Sequence, residues 1–307
     1  MPKFHVNKSI FIEAPEDKVF NVINDFSTWT TWSPWLIMEP EAKVTVADDK
    51  KSYEWEGKKV GSGNMKITDE KKNKSVHIDL TFLTPYKSTA KVWFELGKKD
   101  KGTTVTWLMD SSLPFFMFWM KKAMIAWLGM DYRRGLELLK DYVEDGEVHS
   151  KLTFTGPGNY PGCTYIGIKT ECAIDDIGKA MQSDFDTLGA YIKDKPELVN
   201  GQPLAIYHKW ELVKGRTTFT VAFPVKSVPT NLPNGLISGS VPASPIYSLL
   251  HQGPYRHLGN AWSTMQNLQR NKVFKMNKKI DPFEKYVSMP GEVADNKLKT
   301  EVNFATK

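Results

Sequence analysis

Apolar and polar residues alternate through residues 3–13, where Phe4, Val6, Ile10 and Ile12 stand among polar neighbours, and this period of two predicts a half-buried strand. Past Ala14-Pro15-Glu16-Asp17 the apolar positions shift to three- and four-residue spacing, Val19, Phe20, Ile23 and Phe26, which predicts a helix. After an indole-dense stretch, Trp29-Thr30-Thr31-Trp32-Ser33-Pro34-Trp35, alternation returns in residues 53–57, 61–67, 76–80, 90–96 and 103–109. Gly and Lys separate these segments, as in a meander of antiparallel hairpins. A helical pattern from about Pro114 to Glu144 closes this half. Residues 147–151 form a short polar connection, and the boundary is placed near 148, dividing the chain into 1–147 and 148–307. Gly156-Pro157-Gly158-Asn159-Tyr160-Pro161-Gly162 reads as punctuation just inside the second part.

The second part carries a diverged internal repeat. A strand at 163–168 is followed by a helix at 174–192, with Ile177, Met181, Phe185 and Leu188 on one face, and by strands at 203–210 and 216–225. A strand at Ile246, a helix at 255–268 and strands at 282–287 and 297–304 repeat that order. In the second copy Gly253-Pro254 breaks the strand, and Pro starts the helix at little cost because its missing N–H would be unpaired there anyway.

Residues 251–262, from His251 through Gly253-Pro254-Tyr255 and Leu258 to Ala261-Trp262, match an H-x-G-P-Y-x-x-L-x-x-A-[WY] pattern throughout. On that run the second part resembles the GyrI-like small-molecule-binding domain, which is also the effector-binding half of some bacterial multidrug-sensing transcription activators. The resemblance implies two strand–helix–strand–strand units related by a pseudo-twofold, with a ligand cleft between them. The first part resembles the START-like (SRPBCC, polyketide cyclase-like) fold. That likeness rests on Ser9-Ile10, Ala14-Pro15 and Val19-Phe20, on Trp32-Ser33-Pro34-Trp35, on Gly61-Ser62-Gly63 with Met65, and on residues 129–140. It implies a helix-grip domain: a curved antiparallel sheet around a long C-terminal helix, with a lipophilic cavity between them. Trp55, Trp93, Trp107 and Trp119 are then either ligand contacts or core fillers. The fold class expected is α+β throughout.

Composition adds limits. Hydrophobic residues at 41% and charged residues at 25% are ordinary for a globular protein, while 10 Trp, 11 Tyr and 16 Phe supply material for apolar pockets. The net charge of +6 comes from lysines spread along the chain, and runs such as 71–74 and 98–101 read as solvated hairpin turns. No direct nucleic-acid binding is expected, since the START-like domain stands where the resembling activators carry a helix-turn-helix. Cys163 and Cys172 form no metal pattern and no disulfide framework, which fits a reducing, cytoplasmic compartment. Residues 113–130 are the most membrane-like stretch, but Lys121-Lys122 interrupt it, and a buried helix rather than a span is expected.

Glu284 is the carboxylate that stands out, in Phe283-Glu284-Lys285-Tyr286. In the resembling family a glutamate at this strand position meets cationic, lipophilic ligands. A carboxylate in an aromatic cleft bears a desolvation cost that a cation or proton relieves, and aromatic faces add cation–π attraction. Strand alternation leaves the other orientation open, with Glu284 in solvent beside Lys285 or Lys299. The ligand-binding set expected in the cleft is Glu284, Tyr255, Trp262, Tyr207, His208, Phe283 and Tyr286. Neither a cofactor nor a metal is expected, because the histidines lack ligand partners at metal spacing and no nucleophile elbow or phosphate loop occurs. The function expected is sensing or sequestration of a lipophilic small molecule, cationic where Glu284 faces it. One alternative is a hydrolase of reactive xenobiotics with Glu284 as general acid/base. A second is a transcription-regulatory partner without its own DNA-binding domain.

Overall fold

The period-two stretches of the first half become a seven-stranded antiparallel sheet. Its strands are β1 (Lys3–Ile12), β2 (Lys43–Val46), β3 (Ser52–Gly57), β4 (Gly61–Lys71), β5 (Ser75–Thr84), β6 (Ser88–Lys99) and β7 (Gly102–Ser112), in the order β1-β7-β6-β5-β4-β3-β2. The structure, a computed structural model, describes residues 2–307 and divides into two compact units between Ser150 and Lys151.

In unit 1 the helices α1 (Glu16–Ile23) and α2 (Phe26–Trp32) follow β1, and α3 (Lys121–Asp145) closes the unit. Alternate residues of β6 and β7, Val92, Phe94, Val105 and Trp107, form a buried face on which Tyr132, Leu136 and Leu139 of α3 pack. Trp107 stacks on Tyr132 with ring centroids 4.2 Å apart. Gly135 permits that approach, because a Cβ there would stand 2.7 Å from the Trp107 ring. The Trp-Ser-Pro-Trp run is tied to the same helix: the Trp35 indole donates to Asp131, and Arg134 donates to the Pro34 carbonyl and to Asp131.

The four tryptophans read as either ligand contacts or core fillers take different places. Trp107 is fully buried among rings and is core. Trp93 lies on the opposite sheet face from its buried neighbours Val92 and Phe94, stacked on His77 and donating to Glu95, as strand alternation requires. Trp119 is exposed, because the helix does not begin near Pro114: residues Phe115–Met120 form a 3₁₀ segment and α3 starts at Lys121. β7 ends at Ser112, ahead of this segment. Trp55 is half-buried against the core, beside Phe82.

Unit 2 is an eight-stranded sheet with one long helix per repeat. Its elements are β8 (Lys151–Tyr160), β9 (Cys163–Ala173), α4 (Ile177–Lys193), β10 (Leu204–Glu211), β11 (Arg216–Pro224), β12 (Ile237–Val241), β13 (Ser244–Gln252), α5 (Gly259–Arg270), β14 (Phe283–Tyr286) and β15 (Lys299–Ala305). The strand order β12-β9-β11-β10-β14-β15-β13-β8 is a palindrome of the repeat: β9-α4-β10-β11 mirrors β13-α5-β14-β15, and β10 and β14 meet antiparallel at the centre. The two outer strands are exchanged, since β8, ahead of the first repeat, pairs with β13, while β12, ahead of the second, pairs with β9. The Gly/Pro-rich run 156–162 is therefore largely strand, not punctuation. It lies at the sheet edge with a register irregularity opposite Ser248/Leu249, where Pro and Gly are tolerated.

Candidate functional site

At the centre of unit 2, Ala205 of β10 sits opposite Glu284 of β14. Each is flanked on its outer side by the equivalent residue of the repeat, Val221 or Val302. Two positions farther along each central strand, on the same face by alternation, stand Tyr207 and Tyr286. The pseudo-twofold thus relates the two tyrosines to each other, and relates Glu284 to an alanine. One carboxylate stands where the symmetric counterpart is a methyl group.

Both phenols converge on that carboxylate. The Tyr207 hydroxyl donates to Oε1 at 3.0 Å and the Tyr286 hydroxyl to Oε2 at 2.7 Å. The Trp262 indole N–H, from the first turns of α5, donates to Oε1 at 2.5 Å. None of these donors is a cation. Glu284 is only 1% exposed, and burial pushes its carboxyl above the ordinary value, an effect the three hydrogen bonds partly offset. Burial and the adjacent carboxylate drive both phenols well above the usual tyrosine range, so they remain donors.

The surrounding surface is aromatic and sulfur-rich. Trp262 packs edge-on against Tyr207 at 4.7 Å, and Tyr286 takes Tyr255 on one side and Phe185 on another. The Met181 sulfur of α4 lies 3.9 Å from the Tyr207 oxygen and 3.8 Å from that of Tyr286, so it covers the hydroxyl pair. Met181, Phe185, Tyr255 and Trp262 are each half-buried, whereas the two tyrosines beneath them are buried. Tyr255 is delivered by the strand-to-helix corner, where Gly253 adopts φ 141°, a conformation that strains any residue with a Cβ.

Of the residues expected in the cleft, Glu284, Tyr207, Tyr286, Trp262 and Tyr255 are brought together, and the orientation left open by alternation resolves inward. Lys285 points to the other face and pairs with Glu301 instead. Phe283 and His208 are not in this site. Phe283, one residue from Glu284, faces the opposite side of the sheet and packs with Leu204, Ile206 and Tyr165. His208, two residues from Ile206 and one from Tyr207, falls on that same side by alternation, where it bonds Asp281 and Thr220, each at 2.7 Å. Met181 and Phe185 were read only as a helix face; the repeat was the available signal, because α4 stands where α5 stands in the other copy. His251 is fully buried near His257, and burial pushes its imidazole down to about 3. Among the described residues no group of three or more His, Cys, Asp or Glu is placed to hold a metal, and no helix is long and apolar enough to cross a membrane.

Comparison with known proteins divides along the same line as the fold. Residues 3–144 match the family described as polyketide cyclase / dehydrase and lipid transport, and residues 159–306 match the GyrI-like small molecule binding domain. No protein of curated description matches the chain. Among solved structures, the C-terminal domain of EcmrR is similar at 17% identity and TM-score 0.44, covering 52% of this chain and 98% of that one. SAV2435 bound to tetraphenylphosphonium is similar at 16% identity and TM-score 0.40, covering 49% and 92%. The Aha1 dimer from Colwellia psychrerythraea is similar at 17% identity and TM-score 0.34, covering 47% and 98%.

Proposed function

Because this chain joins a polyketide cyclase / dehydrase and lipid transport domain at residues 3–144 to a GyrI-like small molecule binding domain at 159–306, we propose that unit 2 binds a lipophilic organic cation against Glu284. The observation that carries the reading is a buried carboxylate whose hydrogen bonds come from two phenols and an indole, with no cation among them. Such a group is costly in its charged form until a positive charge arrives. A cation entering between α4 and α5 would displace the Met181 thioether, a flexible side chain suited to being moved. It would then stand among the faces of Tyr207, Tyr286 and Trp262 with the carboxylate below. A lining made mostly of aromatic faces and a thioether offers little to replace the water shell of a small ammonium ion, and so favours a delocalised, poorly hydrated cation.

Two consequences follow. The cation binds the ionised carboxylate, so affinity rises as pH rises through the folded-state pKa of Glu284, and a proton is released on binding. Glu284→Gln keeps the shape and removes the charge. Isothermal titration with tetraphenylphosphonium and with the neutral triphenylphosphine oxide is the test. The expected result is that the variant loses at least about thirtyfold in affinity for the cation and little for the neutral compound. Equal loss for both, or none for either, overturns the assignment of Glu284 as the cation's partner.

A further inference from the structure

The segment joining β7 to α3 exposes its aromatic residues: Phe115 is 78% exposed, Phe116 75%, Trp119 70% and Phe118 60%. Tyr86, in the β5–β6 turn, is 78% exposed. Because β6 pairs Ala90 with Ser111, that turn and the segment leaving β7 emerge at the same end of the sheet. Apolar residues scattered singly over a surface need no explanation, but a contiguous aromatic cluster marks a place of contact. Directly behind it, Met117, Met124, Ile125 and Leu128 are only half-buried against the core, so the apolar surface continues inward.

The charges around the cluster say what it contacts. Lys121 and Lys122 follow the segment, Lys87 follows Tyr86, and Lys3 is paired across from Ser112. No acidic residue occurs between Asp110 and Asp131, nor between Asp79 and Glu95, although acidic and basic residues balance over residues 1–150. Protein–protein interfaces are depleted of lysine, whereas aromatic tips with a lysine collar are the composition of segments that insert into the headgroup region of a bilayer. Phe115, Phe116, Phe118 and Trp119 share one short 3₁₀ segment and are each more than half exposed, so the rings stand out into solvent.

We infer that Phe115–Trp119 and Tyr86, with Lys87, Lys121 and Lys122, dock unit 1 on the surface of an anionic lipid bilayer. The rings enter the interfacial layer to a depth of about 5–10 Å and the lysines meet the headgroups. The docking is peripheral: the segment is far too short to span.

Co-sedimentation of the full chain with vesicles of phosphatidylcholine, alone or doped with phosphatidylglycerol, tests this. Wild-type protein is expected to bind the doped vesicles, less so at high salt. The double variant Phe116→Ser, Trp119→Ser should lose binding to them altogether. Lys121→Glu, Lys122→Glu should weaken it by at least about tenfold, since each lysine contributes to attraction at the surface. All these side chains are exposed, so both variants should melt as the wild type does. Glu284→Gln should sediment normally, which keeps this result separate from the ligand site of unit 2. Failure of the wild type to bind doped vesicles overturns the inference, as does binding that survives loss of the rings. So does a wild-type oligomer that the Phe116→Ser, Trp119→Ser variant dissolves while no vesicle binding occurs, because the cluster would then be a protein interface.

Discussion

Glu284 is worth following as a single residue, because its burial has a measurable cost. Its folded-state pKa is raised by desolvation above the ordinary 4.5. Below that ordinary value the carboxyl is protonated in both folded and unfolded chains and contributes no difference. As pH rises toward the folded value the unfolded chain ionises first, so stability falls across that window and stays lower above it. Glu284→Gln cannot ionise; its amide oxygen still accepts from Tyr207 and Trp262, and its nitrogen can donate to the Tyr286 oxygen. The variant is expected to melt above the wild type at pH about 8, the difference vanishing as pH falls toward about 4. Thermal unfolding over a pH series checks this, and a variant that melts lower at alkaline pH would show that the carboxylate stabilises the fold. Tyr255 and Trp262 were legible from the single run at 251–262, Tyr286 as the aromatic flanking Glu284, and Tyr207 from the strand that repeats the one carrying Glu284. Phe283 and His208 were misplaced for one local reason: each is the strand neighbour of a side chain in the site, so alternation turns it to the other face.

Among the elements, α3 depends on how closely it lies on the sheet. Gly135→Ala gains up to about 1 kcal/mol of helix propensity. Against this stands a Cβ placed 2.7 Å from a Trp107 ring already held between Phe94 and Tyr132. Overpacking of that kind costs about 1–3 kcal/mol. The packing term wins, and the variant is expected to unfold at lower denaturant with an unchanged slope; a stabilised variant would mean that the helix shifts freely. Elements were legible where periodicity was clean, as in β1, β6 and β7. They were not legible in β8, whose Pro157 and glycines mimic a loop and which is held in place by pairing with β13. The apolar run 113–130 concealed a break for a related reason. Its composition suits burial, yet its first rings lie on a 3₁₀ segment past the end of β7 and stand exposed.

For the whole molecule, the relevant fact is that each unit closes its own core. The core of unit 1 is drawn from residues 4–143, and those of unit 2 from residues 165–304. A chain cut between Ser150 and Lys151 is therefore expected to yield two fragments that each unfold cooperatively. The fragment 151–307 should bind tetraphenylphosphonium as the full chain does, and the fragment 1–150 should retain vesicle binding. Calorimetry of the two pieces decides it: a fragment without a cooperative transition would mean that its core is completed by the other.

The sequence by itself determined the local periods, the duplicated strand–helix–strand–strand order, the Gly-Pro corner and the run of residues that marks each half. Those are properties of neighbours, and neighbours are set by the chain. Tertiary structure alone decided that Tyr207 and Glu284, 77 residues apart, share a hydrogen bond, and that Met181 covers them. It also decided which aromatics fill a core and which stand in solvent. Side chains converge across a sheet only once the register of β10 on β14 is chosen, and a shift of one residue would turn Glu284 to the other face.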